Sequence, residues 1–109
     1  MTSFIIGTKN YVTKLIAIKA IKMAIQNQTF VNEFECKLLP LCDEPKTTDA
    51  MQCLYRKACM KGDMIVINSL DQMKAWHFAI SDYRSESPVE GKILRVLKAN
   101  AARGLRKRM

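Results

Sequence analysis

Acidic side chains are absent from the first 32 and the last 18 residues of this 109-residue chain, and aromatic residues make up only 7% of it. The first absence leaves both ends basic. The second removes most of the side chains that stack on unpaired bases, and no aromatic falls in the last 25 residues. Glycine occurs only at Gly7, Gly62, Gly91 and Gly104, too scattered for a phosphate-cradling loop. The one histidine, His77, lies between Trp76 and Phe78 with no nucleophile or second ligand near it in sequence. Serines stand singly, and the acids form no recognisable catalytic pair. The expectation is a protein that is not an enzyme and takes no cofactor.

Long apolar runs are also missing. Spanning a bilayer takes about 20 uninterrupted apolar residues, and the best run here, residues 15–25, is broken by Lys19 and Lys22. The first residues lack the basic start, apolar stretch and small-residue cleavage site of a signal peptide. The chain is therefore expected to be cytoplasmic or nuclear rather than secreted, with no transmembrane segment and with reduced cysteines. Cys36 and Cys42 have the same spacing as Cys53 and Cys59, which raises a zinc site. Structural zinc favours tighter Cys-x2-Cys knuckles, and Cys53 and Cys59 fall on different faces of one helix. Buried thiols acting as small hydrophobes are the preferred reading, with zinc as the minor one.

What the sequence does have is 49% hydrophobic and 26% charged residues, the balance of one modest globular domain. Its net charge of +8 is uneven: +4 over residues 1–32, −3 over 33–91 and +7 over 92–109. Clustering of this kind points to an anionic partner rather than to solubility alone.

Residues 3–6 and 64–67 are short β-branched runs that predict two strands able to pair. A helix is expected over residues 8–28 with Thr8 as its cap, and a second over 30–39 that Pro40 ends. A mobile linker over 43–49 leads to a helix over 50–61 that stops at Gly62. Asn68 or Ser69 caps a helix to about Tyr83, and Pro88 opens the last one, to about Leu105. The fold class is mainly α with four to five helices, or α+β with one minor two-stranded pair of about residues 3–6 and 64–67. Residues 1–91 are read as a compact helical domain. Residues 92–109 are read as a basic C-terminal helix packed on the same domain, with a mobile basic end.

Two apolar surfaces run along the first helix. Val12, Ile16, Ala20 and Met23 form one, and Leu15, Ile18, Ile21 and Ile25 form the other. A helix apolar on nearly all sides is buried on more than one. Either it is the central core helix or it seams a homodimer, and both stand as expectations.

The last helix is the most informative. Lys92, Arg95, Arg103 and Arg106 fall within about 80° of arc, opposite Ile93, Leu94, Leu97, Ala101 and Leu105. One face packs and the other presents a basic stripe roughly 20 Å long. Cations near a helix C-terminus are favoured by the macrodipole, which accounts for one or two bases but not for seven. The expected site comprises Lys92, Arg95, Lys98, Arg103, Arg106, Lys107 and Arg108, with Lys14, Lys19 and Lys22 as a second patch. Of the Asn and Gln residues that read adenine, the stripe has only Asn100, at its edge.

Nucleic acid is the expected partner, RNA favoured over DNA, bound as a duplex through phosphates and shape. Small viral accessory proteins that sequester duplex RNA, the silencing suppressors, are of this type. The alternatives are a protein-interaction module whose basic tail is a nuclear or nucleolar targeting signal, and a protein lying on a membrane surface.

Overall fold

A computed structural model describes the backbone of residues 2–35 and 44–109, and the side chains of residues 2–26 and 49–109. Among the described residues the order is β1 (Phe4–Gly7), α1 (Tyr11–Glu35), α2 (Glu44–Cys59), β2 (Met64–Ile67), α3 (Leu70–Asp82) and α4 (Pro88–Arg108). The fold is mainly α with one small antiparallel pair, as the sequence predicts.

Strands this short are marginal alone and persist because helices cover them. β1 and β2 pair with Phe4 opposite Ile67 and Gly7 opposite Met64, and Ile6, Ile65 and Ile67 are buried. The ladder extends one step further, where the Thr8 N–H donates to the Asp63 carbonyl at 2.7 Å. The Thr8 hydroxyl reaches the Gly62 carbonyl at 3.3 Å, so Thr8 belongs to the strand pair and is not a helix cap. The cap of α1 is Asn10, whose Oδ1 accepts from the Val12 N–H at 2.9 Å. Gly62 has φ +154, a backbone conformation that glycine adopts without strain.

Two expectations need correction. Residues 30–35 do not begin a separate helix; α1 runs through Thr29 and Phe30 to Glu35. No glycine or proline interrupts residues 11–35, and a change in apolar phase does not by itself break a helix. The linker expected over 43–49 is helical from Glu44, with Pro45 in the first turn where its missing N–H costs nothing. The part of the expected second helix beyond Glu35, including Pro40, lies outside the described residues.

α3 packs against α1, α2 and α4, and α1 also touches α2 and α4. Trp76, Met73 and Ile80 of α3 meet Ile16 and Ile21 of α1 and Met51 and Leu54 of α2 in one buried cluster. This packing covers much of both apolar surfaces of α1: Ile16, Ala20 and Ile21 are buried, Val12, Ile18 and Ile25 lie partly buried against the same core, and Met23 stays exposed. Of the second surface, which raised a homodimer, Ile21 is buried and Leu15, Ile18 and Ile25 keep partial exposure.

Candidate nucleic-acid interface

Local sequence sets where α4 begins and which face it shows. Ser87 caps it, accepting from the Glu90 N–H at 3.2 Å, and Pro88 occupies the first turn. The Glu90 carboxylate then accepts from the Tyr83 hydroxyl at 2.9 Å, tying the end of α3 to the start of α4. The Tyr83 phenol is raised well above its ordinary pKa, chiefly by burial, then by its hydrogen bond to Glu90 and the charges of Glu90 and Glu86. It stays a neutral donor.

The helix is amphipathic in the predicted sense. Leu94, Leu97, Ala101 and Gly104 are buried, while Lys92, Arg95, Val96, Ala99, Arg103, Arg106 and Lys107 are exposed. Gly104 is where α4 comes closest to the strands: a Cβ there would lie 2.6 Å from the Phe4 ring. The helix also runs past Leu105 to Arg108, so its last turn carries Arg106, Lys107 and Arg108 where the macrodipole favours cations.

The seven bases expected in the site do not share one environment. Lys92, Arg95, Arg103, Arg106 and Lys107 face solvent, and among the described residues none of them has an ion pair. Arg103 donates a hydrogen bond to the Asn100 side-chain carbonyl. Lys98 is half-buried beside a cleft of about 350 Å³ that it shares with Arg84, Ser85 and Arg95. Arg84 was not a predicted site residue; it lies in the turn before α4, and only the folded turn brings it to Arg95 and Lys98.

Arg108 points elsewhere. Its guanidinium donates to the carbonyls of Thr2, Ser3 and Gly104, each at about 3 Å, and its charge sits 5.4 Å from the Phe4 ring centre. It fastens the end of α4 to the first strand and leaves the stripe without it.

The second patch is divided. Lys14 donates to the Met60 carbonyl at 2.9 Å, and Lys19 lies 3.4 Å from Glu86 and 4.0 Å from Glu90. Lys22 is exposed, and the three lysines spread over about 140° of helix surface. Of the three, only Lys22 has no such partner among the described residues.

Of the cysteines, Cys36 and Cys42 lie outside the described residues. Cys53 is half-buried, its sulfur 3.5 Å from the Gln72 amide, and Cys59 is an exposed free thiol, so neither is the buried small hydrophobe expected. The hydrogen bond to Cys59 is the main cause of a raised Tyr55 phenol pKa. Among the described residues no three His, Cys, Asp or Glu side chains are grouped to hold a metal ion. His77 is half-buried on α3. Among the described residues, no helix is long and apolar enough to cross a membrane.

Comparison of the chain with protein-family models, with curated proteins and with solved structures finds no match.

Proposed function

We propose that this protein binds duplex nucleic acid through the solvent face of α4, as a binding protein rather than an enzyme. One observation carries the reading: Lys92, Arg95, Arg103, Arg106 and Lys107 lie exposed on a single helix face with no acid paired to them among the described residues. Coulomb repulsion within such a face is relieved when an anion of matching length covers it. A duplex presents about one negative charge per 1.7 Å of axis, so roughly 20 Å of helix complements it closely. Arginine forks take phosphate oxygens in pairs, and Ala99 and Ala102 keep the helix surface low between them. The Arg84–Arg95–Lys98 cleft offers a further anion position beside the stripe. A working place in the cytoplasm or nucleus is part of the same proposal.

The test is a titration of duplex RNA, duplex DNA and single strands across a salt series. About five phosphate contacts give a log–log slope of roughly −4 to −5. Duplex sequences are expected to bind alike, because phosphate contacts carry no base information. Salt-insensitive binding, or full duplex binding after Arg95→Ala, Arg103→Ala and Arg106→Ala are combined in a folded protein, would move the tail to a targeting role.

A further inference from the structure

The two-stranded sheet has two outer edges, and they differ. Hydrogen-bonded and non-hydrogen-bonded pairs alternate along an antiparallel ladder. The Thr8 to Asp63 bond fixes the phase, so Ile6 and Phe4 also bond to β2, and Ile5 and Gly7 point their N–H and C=O groups away from it. Two contacts agree with that phase. The Val66 carbonyl, opposite Ile5, turns outward from β2 and accepts from Lys57 at 2.8 Å. The Ser3 carbonyl, two residues before Ile5, turns outward from β1 and accepts from Arg108 of α4 at 3.0 Å.

α2 packs against β2 and fastens its outer edge at the Val66 carbonyl, and the outer edge of β1 is fastened only at Ser3, before Ile5. Among the described residues, nothing outside the sheet bonds to Ile5 or Gly7. Beside this open stretch lies a groove of about 470 Å³ between β1 and α4, with Trp76, Ile93 and Leu97 in its lining. Ile5 is 58% exposed and Val96 59% exposed, one on each wall. A smaller cleft of about 300 Å³ is lined by Ile5 and Asn100 as well, and adds Arg103 and Lys107.

We propose that the free edge of β1 and this groove bind an extended, acidic segment of a partner protein, added to the sheet as a third strand. Unpaired strand edges take up such segments through main-chain hydrogen bonds, and flanking pockets choose alternate side chains. Charge selects the occupant. Lys92 lines the groove, Arg103 and Lys107 line the smaller cleft, and no acid lines either. A second copy of this chain would bring the same bases against themselves, whereas a strand alternating apolar and acidic residues would place one set on Val96 and Ile93 and the other near the bases.

The site rests on main-chain geometry and an apolar wall, so it stands apart from the nucleic-acid reading. Because Lys92, Arg103 and Lys107 border both surfaces, the two ligands are expected to compete.

The probe is a blocked octapeptide alternating valine with aspartate and glutamate, with a lysine-for-acid version as control. Titrated into the 109-residue chain labelled with nitrogen-15, the acidic peptide is expected to slow amide exchange at Ile5 and Gly7, whose outward N–H groups are expected to exchange rapidly without it. Ile5→Pro removes an outward N–H and leaves the ladder to β2 intact. It is expected to weaken the peptide by about tenfold or more while duplex binding persists. Val96→Asp, on the opposite wall, is the second variant should Ile5→Pro not fold, with the same expected loss. The proposal is overturned if the acidic peptide fails to bind, if the lysine peptide binds as well, or if Ile5 and Gly7 gain no protection. Concentration-dependent protection of those amides without peptide would assign the edge to a second copy and overturn it equally.

Discussion

α1 and α4 carry bases of the same kind and treat them in opposite ways. On α1, Lys14 is held by the Met60 carbonyl and Lys19 by Glu86 and Glu90. On α4, Lys92, Arg95, Arg106 and Lys107 stand in solvent with no such partner among the described residues. Both regions read alike by composition, since neither contains an acid after Glu90 or before Glu33. What separates them is where the fold delivers acids and carbonyls from elsewhere. Cations already engaged within the chain make poor phosphate ligands, because each new contact displaces an existing one. Density of charge alone does not separate the two faces; their internal partners do.

The largest expected effect breaks or upholds that comparison directly. Combining Arg95→Ala, Arg103→Ala and Arg106→Ala should flatten the salt slope of duplex binding by about three units, close to one per contact. Combining Lys14→Ala, Lys19→Ala and Lys22→Ala should change it by less than about one. Equal effects would mean that internal pairing does not decide which bases bind. Circular dichroism should find the α4 variant folded, since alanine is the best helix former and the altered face is exposed.

The docked side of α4 gives the next largest effect. Glycine to alanine inside a helix ordinarily stabilises by about 1 kcal/mol. At Gly104 the added Cβ meets the Phe4 ring at 2.6 Å, so Gly104→Ala should destabilise by about 1–3 kcal/mol. At Gly91 the nearest atom is the Ser85 hydroxyl at 3.4 Å, and Gly91→Ala should be neutral or mildly stabilising. Urea melts should show Gly104→Ala destabilised and Gly91→Ala unchanged or slightly stabilised. A stabilised Gly104→Ala would show that Phe4 does not pack on α4 as described, and would weaken the division between its buried and exposed faces.

Tyr83 controls the entry to the same helix. Its hydrogen bond to the Glu90 carboxylate should be worth about 1–2 kcal/mol, less than a fully buried charged bond because Glu90 keeps some solvent. Folding raises the Tyr83 pKa above its ordinary value of 10.0. Its contribution is therefore complete below pH 10 and is lost as pH climbs beyond that, because the unfolded chain ionises first. Tyr83→Phe should lower stability at neutral pH and blunt the alkaline loss. A variant with an unchanged alkaline limb would remove Tyr83 from that role.

How much of this was legible in the sequence follows from the range of each signal. The strands, the Ser69 and Pro88 boundaries and the two faces of α4 rest on local pattern, and each was readable. The continuity of α1 across Phe30 was not, because a shift in apolar phase resembles a break when the partner helices are unknown. Helix formation from Glu44 was hidden by a composition rich in acids, proline and threonine that also suits a linker. At the site, arc and exposure of Lys92, Arg95, Arg103 and Arg106 followed from spacing alone. The diversion of Arg108 to Thr2 and Ser3 and the arrival of Arg84 beside Lys98 depend on contacts between distant or turn-linked residues. No helical wheel contains them.

The smallest expected effect falls on Lys19, and it tests the other half of the comparison. Its Nζ lies 3.4 Å from a Glu86 oxygen, and the two side chains are 41% and 67% exposed. An ion pair so open to water is screened by salt, and its coupling should be only about 0.2–1 kcal/mol. Lys19→Ala should therefore shift stability by no more than about 1 kcal/mol. A double-mutant cycle with Glu86→Ala should recover the coupling at low salt and lose most of it at high salt. Glu90, nearer the Tyr83 hydroxyl than to Lys19, should keep its place at the start of α4 in both variants. Duplex affinity should be unaffected, because the Lys19 charge is already answered by carboxylates across the gap to α4. If Lys19→Ala instead costs as much duplex affinity as Arg103→Ala alone, the α1 lysines belong to the binding face. The footprint would then extend across the Glu86 turn to α1, beyond α4 alone.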